Sequence, residues 1–84
     1  MQKVVQLSIE EAFGVVLRKR RKKLRLTQTG LSIKSRLSKN FISLCERGQQ
    51  QPSLNSLFLL ARALKTEPVD IVAEVQNLNP RPNF

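Results

Sequence analysis

The stretch "LTQTGLSIKSRLSKNFISLCERG", Leu26 to Gly48, decides the fold. Thr27 is placed to cap a short helix running to about Ser35, because a Thr hydroxyl accepts a free first-turn amide. Leu31 and Ile33 are its apolar anchors. Ser38 is placed to cap a second helix, to about Arg47, with Ile42 and Cys45 as its inward stripe and Phe41 at the margin. Gly48 ends that helix, where a left-handed residue costs least. Arg36 and Leu37 interrupt the pattern, so the stretch reads as two short helices joined by a tight turn.

The residues around it define one all-α domain. The chain has 84 residues, enough for a small helical bundle. A first helix is expected from the capping box Ser8-Ile9-Glu10-Glu11, with apolar Ile9, Ala12, Phe13, Val16, Leu17 and Leu24 at helical spacing and Val15 off that stripe. Ser53 is expected to cap a fourth helix whose Leu54, Leu57, Phe58, Leu60, Ala61 and Leu64 cover more than half its circumference, which makes it the central element. Thr66 is expected to cap a fifth, with Pro68 in its first turn and Val69, Ile71, Val72, Val75 and Leu78 as apolar residues. The predicted organisation is an N-terminal extension over 1–7, a five-helix domain over 8–77, and a flexible tail over 78–84.

Charge is strongly segregated. Residues 18–47 carry eleven Lys/Arg and a single acid, Glu46, while the remainder is close to neutral. "RKRRKKLR", Arg18 to Arg25, lies directly before the decisive stretch. Such a field attracts polyanions, nucleic acid first. Two short helices joined by a tight turn can cross steeply, one propping the other outward as a rod that fits the major groove. With Ile42 and Cys45 facing in, Lys39, Asn40 and Ser43 face out, with Leu44 beside them. Lys39 can donate to guanine, Asn40 can pair with adenine, Ser43 can donate or accept, and Leu44 can touch a thymine methyl. Gln28, Thr27 and Ser38 at the helix starts, with Arg18, Lys22, Lys34, Arg36 and Arg47, are candidates for phosphate contact.

These residues resemble the phage-repressor-like helix-turn-helix domains of the Xre or Cro/C1 type. "FGVVLRKRRKKLRLTQ" is similar to that family's F-G-x-x-L-R-x-x-R-x-x-x-x-L-[ST]-Q. "ISLCERG" is similar to I-S-x-I-E-R-G, and "PSLNSLFLLARAL" to P-S-L-x-T-L-x-x-I-A-x-A-L. The resemblance covers about residues 9 to 75. It implies a compact five-helix bundle of the lambda-repressor-like type, its helix-turn-helix formed by the second and third helices. It also implies a brace against DNA at Gln28, base-facing positions at Lys39, Asn40, Ser43 and Leu44, a backbone contact at Arg47, and an ion pair between Arg21 and Glu46. The family often has Gly where Arg25 and Arg36 stand. If those backbones need positive φ, each Arg costs on the order of 1 kcal/mol; either the turns differ here or phosphate contact offsets the strain. Ser32 occupies a small-residue position, where its hydroxyl can bond back to its own helix. Gly30 has no account from the sequence.

The expected function is sequence-specific transcriptional regulation, by a homodimer on a pseudo-palindromic stretch of double-stranded DNA, in the cytoplasm at the nucleoid. One recognition helix reads only about four or five base pairs, too few for useful affinity at physiological salt. Val69, Ile71, Val72 and Val75 are candidates for the dimer contact, with Val15 or the "VVQL" segment, Val4 to Leu7, as further contributors. The alternative is a protein-interaction module, an antitoxin or coactivator using the same fold; a toxin or polymerase is the corresponding protein partner. Nothing predicts an enzyme: there is no His, no activated nucleophile and no carboxylate cluster. A lone Cys45 makes neither an intrachain disulfide nor a metal cage. No cofactor, small-molecule ligand or membrane association is expected.

Overall fold

Four of the five helices start at a hydroxyl. The computed structural model describes residues 6–83, with α1 over Ile9–Lys23, α2 over Gln28–Ser35, α3 over Lys39–Glu46, α4 over Leu54–Ala63 and α5 over Pro68–Asn77. Ser8 accepts from the Glu11 amide at 3.1 Å while the Glu11 carboxylate accepts from the Ser8 amide at 2.9 Å, a complete capping box. Those bonds pull the Glu11 carboxyl below its usual range. Thr27, Ser38 and Ser53 each accept the N–H three residues on, at 2.9, 3.0 and 3.1 Å. α5 departs from expectation. Glu67, not Thr66, is its N-cap and makes no side-chain cap bond; Pro68 at the first position fixes the entry instead.

The termination pattern is uniform. A left-handed residue follows every helix: Arg25 (φ 57°), Arg36 (φ 64°), Gly48 (φ 74°), Lys65 (φ 57°) and Asn79 (φ 51°). Only α3 uses glycine for it. A Cβ at Gly48 would also stand 2.9 Å from Glu11 Cγ and 3.2 Å from Glu11 Cα, so a side chain there would crowd the start of α1 as well as strain the backbone. The arginines and the lysine carry on the order of 1 kcal/mol of strain each.

α1 packs on α3 and α5, α2 packs on α3 and α4, and α4 packs on α5. Leu17, Leu31, Ile42, Leu60 and Ile71 are fully enclosed, each contributing about 1.5–3 kcal/mol of burial. α4 is less central than its sequence implies. Leu54 and Phe58 are 76% and 60% exposed, because α2 and α5 cover only one side of it. Ile33, expected as an anchor of α2, is 74% exposed, and Leu24 is half-exposed at the end of α1. Conversely Ile71, expected on a dimer surface, is 1% exposed and belongs to the core. The α5 periodicity puts it one turn before Val75, on the face turned to α1 and α4.

The stretch after α5 lies back along the start of the chain. The Arg81 amide donates to the Leu7 carbonyl at 2.8 Å, Gln6 Nε2 to the Asn79 carbonyl at 3.1 Å, and Asn83 Nδ2 to Glu10 at 3.2 Å. An isolated bridge pairs Ser8 with Arg81, and the described residues form no longer strand. Val4 and Val5 of the "VVQL" segment lie outside the described residues. Among those described, no helix is long and apolar enough to cross a membrane.

Candidate nucleic-acid interface

α3 is held from behind by a contact that only glycine permits. A Cβ on Gly14 would lie 2.4 Å from the Cys45 carbonyl oxygen and 3.0 Å from that of Glu46. α1 therefore touches α3 backbone to backbone. About two turns further along α1, Arg21 closes the same junction. Its Nε donates to Glu46 Oε2 at 2.6 Å and its Nη2 to Glu46 Oε1 at 2.9 Å, a bidentate pair. Its Nη1 donates to the Leu26 carbonyl at 2.8 Å, which fixes the approach to α2. Only 11% and 4% of the two side chains is exposed, so the pair is a buried one. The hydrogen-bonded carboxylate of Glu46 pushes the Arg21 guanidinium up.

The turn between α2 and α3 is stitched by two serines. Ser32 Oγ donates to the Leu37 carbonyl at 2.5 Å, across the turn rather than back into its own helix as expected. Ser35, only 2% exposed, accepts the Leu37 amide at 3.2 Å. These bonds satisfy backbone groups that the break at Arg36 leaves without a helical partner. The crossing of α2 and α3 is thereby set, with Leu31 from one helix and Ile42 from the other fully buried.

The outward side of α3 is open. Lys39 and Asn40 are exposed; Ser43 and Leu44 are half-buried beside them; Arg47 is exposed, its Nε reaching the Ser43 carbonyl at 3.4 Å. On the opposite side Ile42 and Cys45 have no exposure. Burial, with the nearby Glu46 charge, pushes the Cys45 thiol up to about 11, so it is a neutral core filler. Ser38 and Thr27 spend their acceptor lone pairs on their caps and keep a hydroxyl hydrogen to donate. Lys34 and Arg36 are exposed on α2 and its turn, and Arg18 and Lys22, four residues apart, share an exposed face of α1. Gln28 is half-buried: its Nε2 donates to Glu46 Oε1 at 3.2 Å, leaving one amide hydrogen for an external acceptor. The structure thus brings Gln28 into the Arg21–Glu46 cluster, which the sequence kept apart from it.

Three contributors went unrecognised in the sequence. Gly14 had a signal, since a glycine inside a helix costs about 1 kcal/mol against Ala and so implies close packing. Ser35 gave none that separates it from any polar helix residue. The ion pair of Arg20 with Glu74, joining α1 to α5, spans 54 positions and has no local mark. Gly30 proves undemanding: a Cβ there would meet only Thr27 Oγ1 at 3.3 Å and Leu26 Cδ2 at 3.5 Å.

Of the α5 residues, Val69 and Val72 are 69% and 50% exposed and Val75 is partly buried against the core. Val72 and Val75 line an open apolar groove of about 480 Å³ shared with Ile9, Phe13 and Leu57. Val15, 49% exposed, lies on α1.

A two-helix motif with an enclosed inner face, a stitched turn and an open basic outer face is a helix-turn-helix. The family model for helix-turn-helix domains matches residues 17–71, and the chain belongs to that family, in its Cro/C1 type. Solved structures agree. The chain is similar to the clp gene regulator ClgR from Corynebacterium glutamicum, with 29% identity, a TM-score of 0.81, and coverage of 89% of this chain and 96% of that one. The restriction-modification controller protein C.AhdI from Aeromonas hydrophila is 35% identical with a TM-score of 0.72, covering 74% and 94%. The controller protein C.Esp1396I, solved as a tetramer with its natural 35 base-pair operator, is 26% identical with a TM-score of 0.75, covering 83% and 92%. No curated protein matches the chain.

Proposed function

We propose that the protein is a DNA-binding transcriptional regulator that reads a specific operator with α3. The carrying observation is the two-sidedness of that helix: Ile42 and Cys45 have no exposure while Lys39 and Asn40 are exposed beside them. Lys39 donates to guanine O6 or N7, Asn40 makes the paired contact to adenine, Ser43 completes the polar edge, and Leu44 covers a thymine methyl. Arg18, Lys22, Lys34, Arg36 and Arg47, with the hydroxyls of Thr27 and Ser38 and the second amide hydrogen of Gln28, hold phosphates and set the register. The Arg21–Glu46 pair touches no DNA; it holds the rod at its angle.

A homodimer places two copies of α3 in successive major grooves, about 34 Å apart, on a pseudo-palindrome. Exposed Val69 and Val72, with Val75 at the groove edge, are the surface we assign to that contact; Ile71 supports it from the core. The operator-bound tetramer of C.Esp1396I supports both operator binding and assembly. The test is a titration of a selected operator duplex and a random-sequence duplex over a salt series. Tighter binding to the operator at every salt concentration supports specific recognition, and equal affinity for both rejects it.

A further inference from the structure

Three basic residues occupy left-handed backbone where glycine is unstrained: Arg25, Arg36 and Lys65. All three are exposed. Their strain is equal in kind, but their places differ. Arg36 ends α2 and stands two residues before Ser38, at the start of α3. Arg25 stands two residues before Thr27, at the start of α2. The bond from Gln28 to Glu46 puts that start beside the far end of α3. Arg25 and Arg36 therefore bracket α3 lengthwise. Lys65 belongs to a different setting. It joins α4 to α5, and its nearest charges in sequence are Glu67, Arg62 and Asp70, so that corner carries no net excess of positive charge.

Resting on the proposed binding to DNA, we infer that Arg25 and Arg36 form a matched pair of phosphate anchors, one at each end of α3, and that they hold the complex at the expense of fold stability. Neither anchor reads sequence. Glycine at either position relaxes the backbone and removes one phosphate contact, so stability and affinity move in opposite directions. Lys65 carries the same strain without the contact. Glycine there moves stability alone.

The experiment compares the full chain with Arg25→Gly, Arg36→Gly and Lys65→Gly. Melting temperature is measured for each, and affinity for a random-sequence duplex of about 20 base pairs is measured over a salt series. Each variant is expected to melt about 2–5 °C higher, the relief of strain being partly offset by the freer unfolded chain. Arg25→Gly and Arg36→Gly are expected to bind several-fold more weakly and to flatten the log–log salt slope by about 0.9 each, the amount for one phosphate. Lys65→Gly is expected to keep the parent's affinity and slope. Arg25→Asn and Arg36→Asn, which also accept a left-handed backbone, repeat the test without glycine's extra unfolded-state freedom. If the parent binds the duplex and the Arg25 and Arg36 variants keep its slope, the anchors are refuted while DNA binding stands. If the parent binds no duplex, both fall. If the Arg variants melt lower than the parent, the opposition between stability and affinity is refuted.

Discussion

The two sides of α3 are built on opposite terms. The inner side has no room and no freedom. Gly14 meets carbonyl oxygens at Cβ distances no other residue can occupy, Arg21 and Glu46 make a bidentate buried pair, and Ile42 and Cys45 are sealed. The outer side has long polar chains with free donors and no partner within the domain for Lys39 or Asn40 among the hydrogen bonds of the described residues. Rigidity behind and openness in front make one device. A recognition helix discriminates bases only if its angle is set before it meets them, because a helix that re-tilts can satisfy several sequences. Changes on the inner side should therefore act through stability, and changes on the outer side through binding.

The largest breaks should come from the inner side, at Gly14 and Glu46. Gly14→Ala puts a methyl group against backbone oxygen, which cannot rotate away, and should destabilise by about 3 kcal/mol or more. Its melting temperature should fall by more than about 10 °C in a calorimetric scan. A fall of only a degree or two would mean that α1 and α3 can part at no cost. Of comparable size is Glu46→Ala, which leaves the Arg21 guanidinium buried without its carboxylate. A loss of about 3–5 kcal/mol is expected from urea unfolding. A loss under about 1 kcal/mol is the signature of a solvated pair instead.

Cys45 supplies a smaller effect that pH exposes. Its folded thiol is pushed up to about 11, against an ordinary value of 9.0, so the neutral form is the one the core accepts. Its stabilising contribution is complete below pH 9 and shrinks as pH rises toward 11, because only the unfolded chain ionises in that window. Cys45→Ala should abolish that share of the alkaline decline. Unfolding of parent and variant at pH 8 and pH 10.5 tests it; equal declines in both would exclude the thiol as a source. On the outer side, Lys22→Ala should leave melting unchanged, weaken binding to all duplexes alike, and flatten the salt slope by about 0.9.

Much of this contrast could be read from the residue order, and the remainder divides by cause. The caps at Ser8, Thr27, Ser38 and Ser53 were evident because capping is a local interaction over three residues. The burial of Ile42 and Cys45 followed from helical period. What periodicity cannot give is which side of a helix finds a neighbour: Leu54, Phe58 and Ile33 fit an apolar stripe, yet α4 and α2 are left bare there by the placement of the other helices. Ile71 failed in the other direction, since a helix with four branched residues close together does not announce which of them faces in. Glu67 replaced Thr66 as the cap because Pro68 pre-sets the first helical residue, which moves the start by one. The serine stitches at 32 and 35 and the Arg20–Glu74 pair depend on three-dimensional proximity alone. The suspicion of left-handed backbone at Arg25 and Arg36 came from resemblance to a family that often has Gly there, and the φ angles of 57° and 64° resolve the alternative of different turns.

The decisive measurement is selection of bound duplexes from a random pool by the parent and by Asn40→Ala. The parent should enrich a two-fold symmetric consensus. The variant, with an unchanged melting temperature, should lose preference at one base pair in each half while the other positions persist. Recovery of the same consensus at every position by both proteins would contradict an outward, base-reading face on α3.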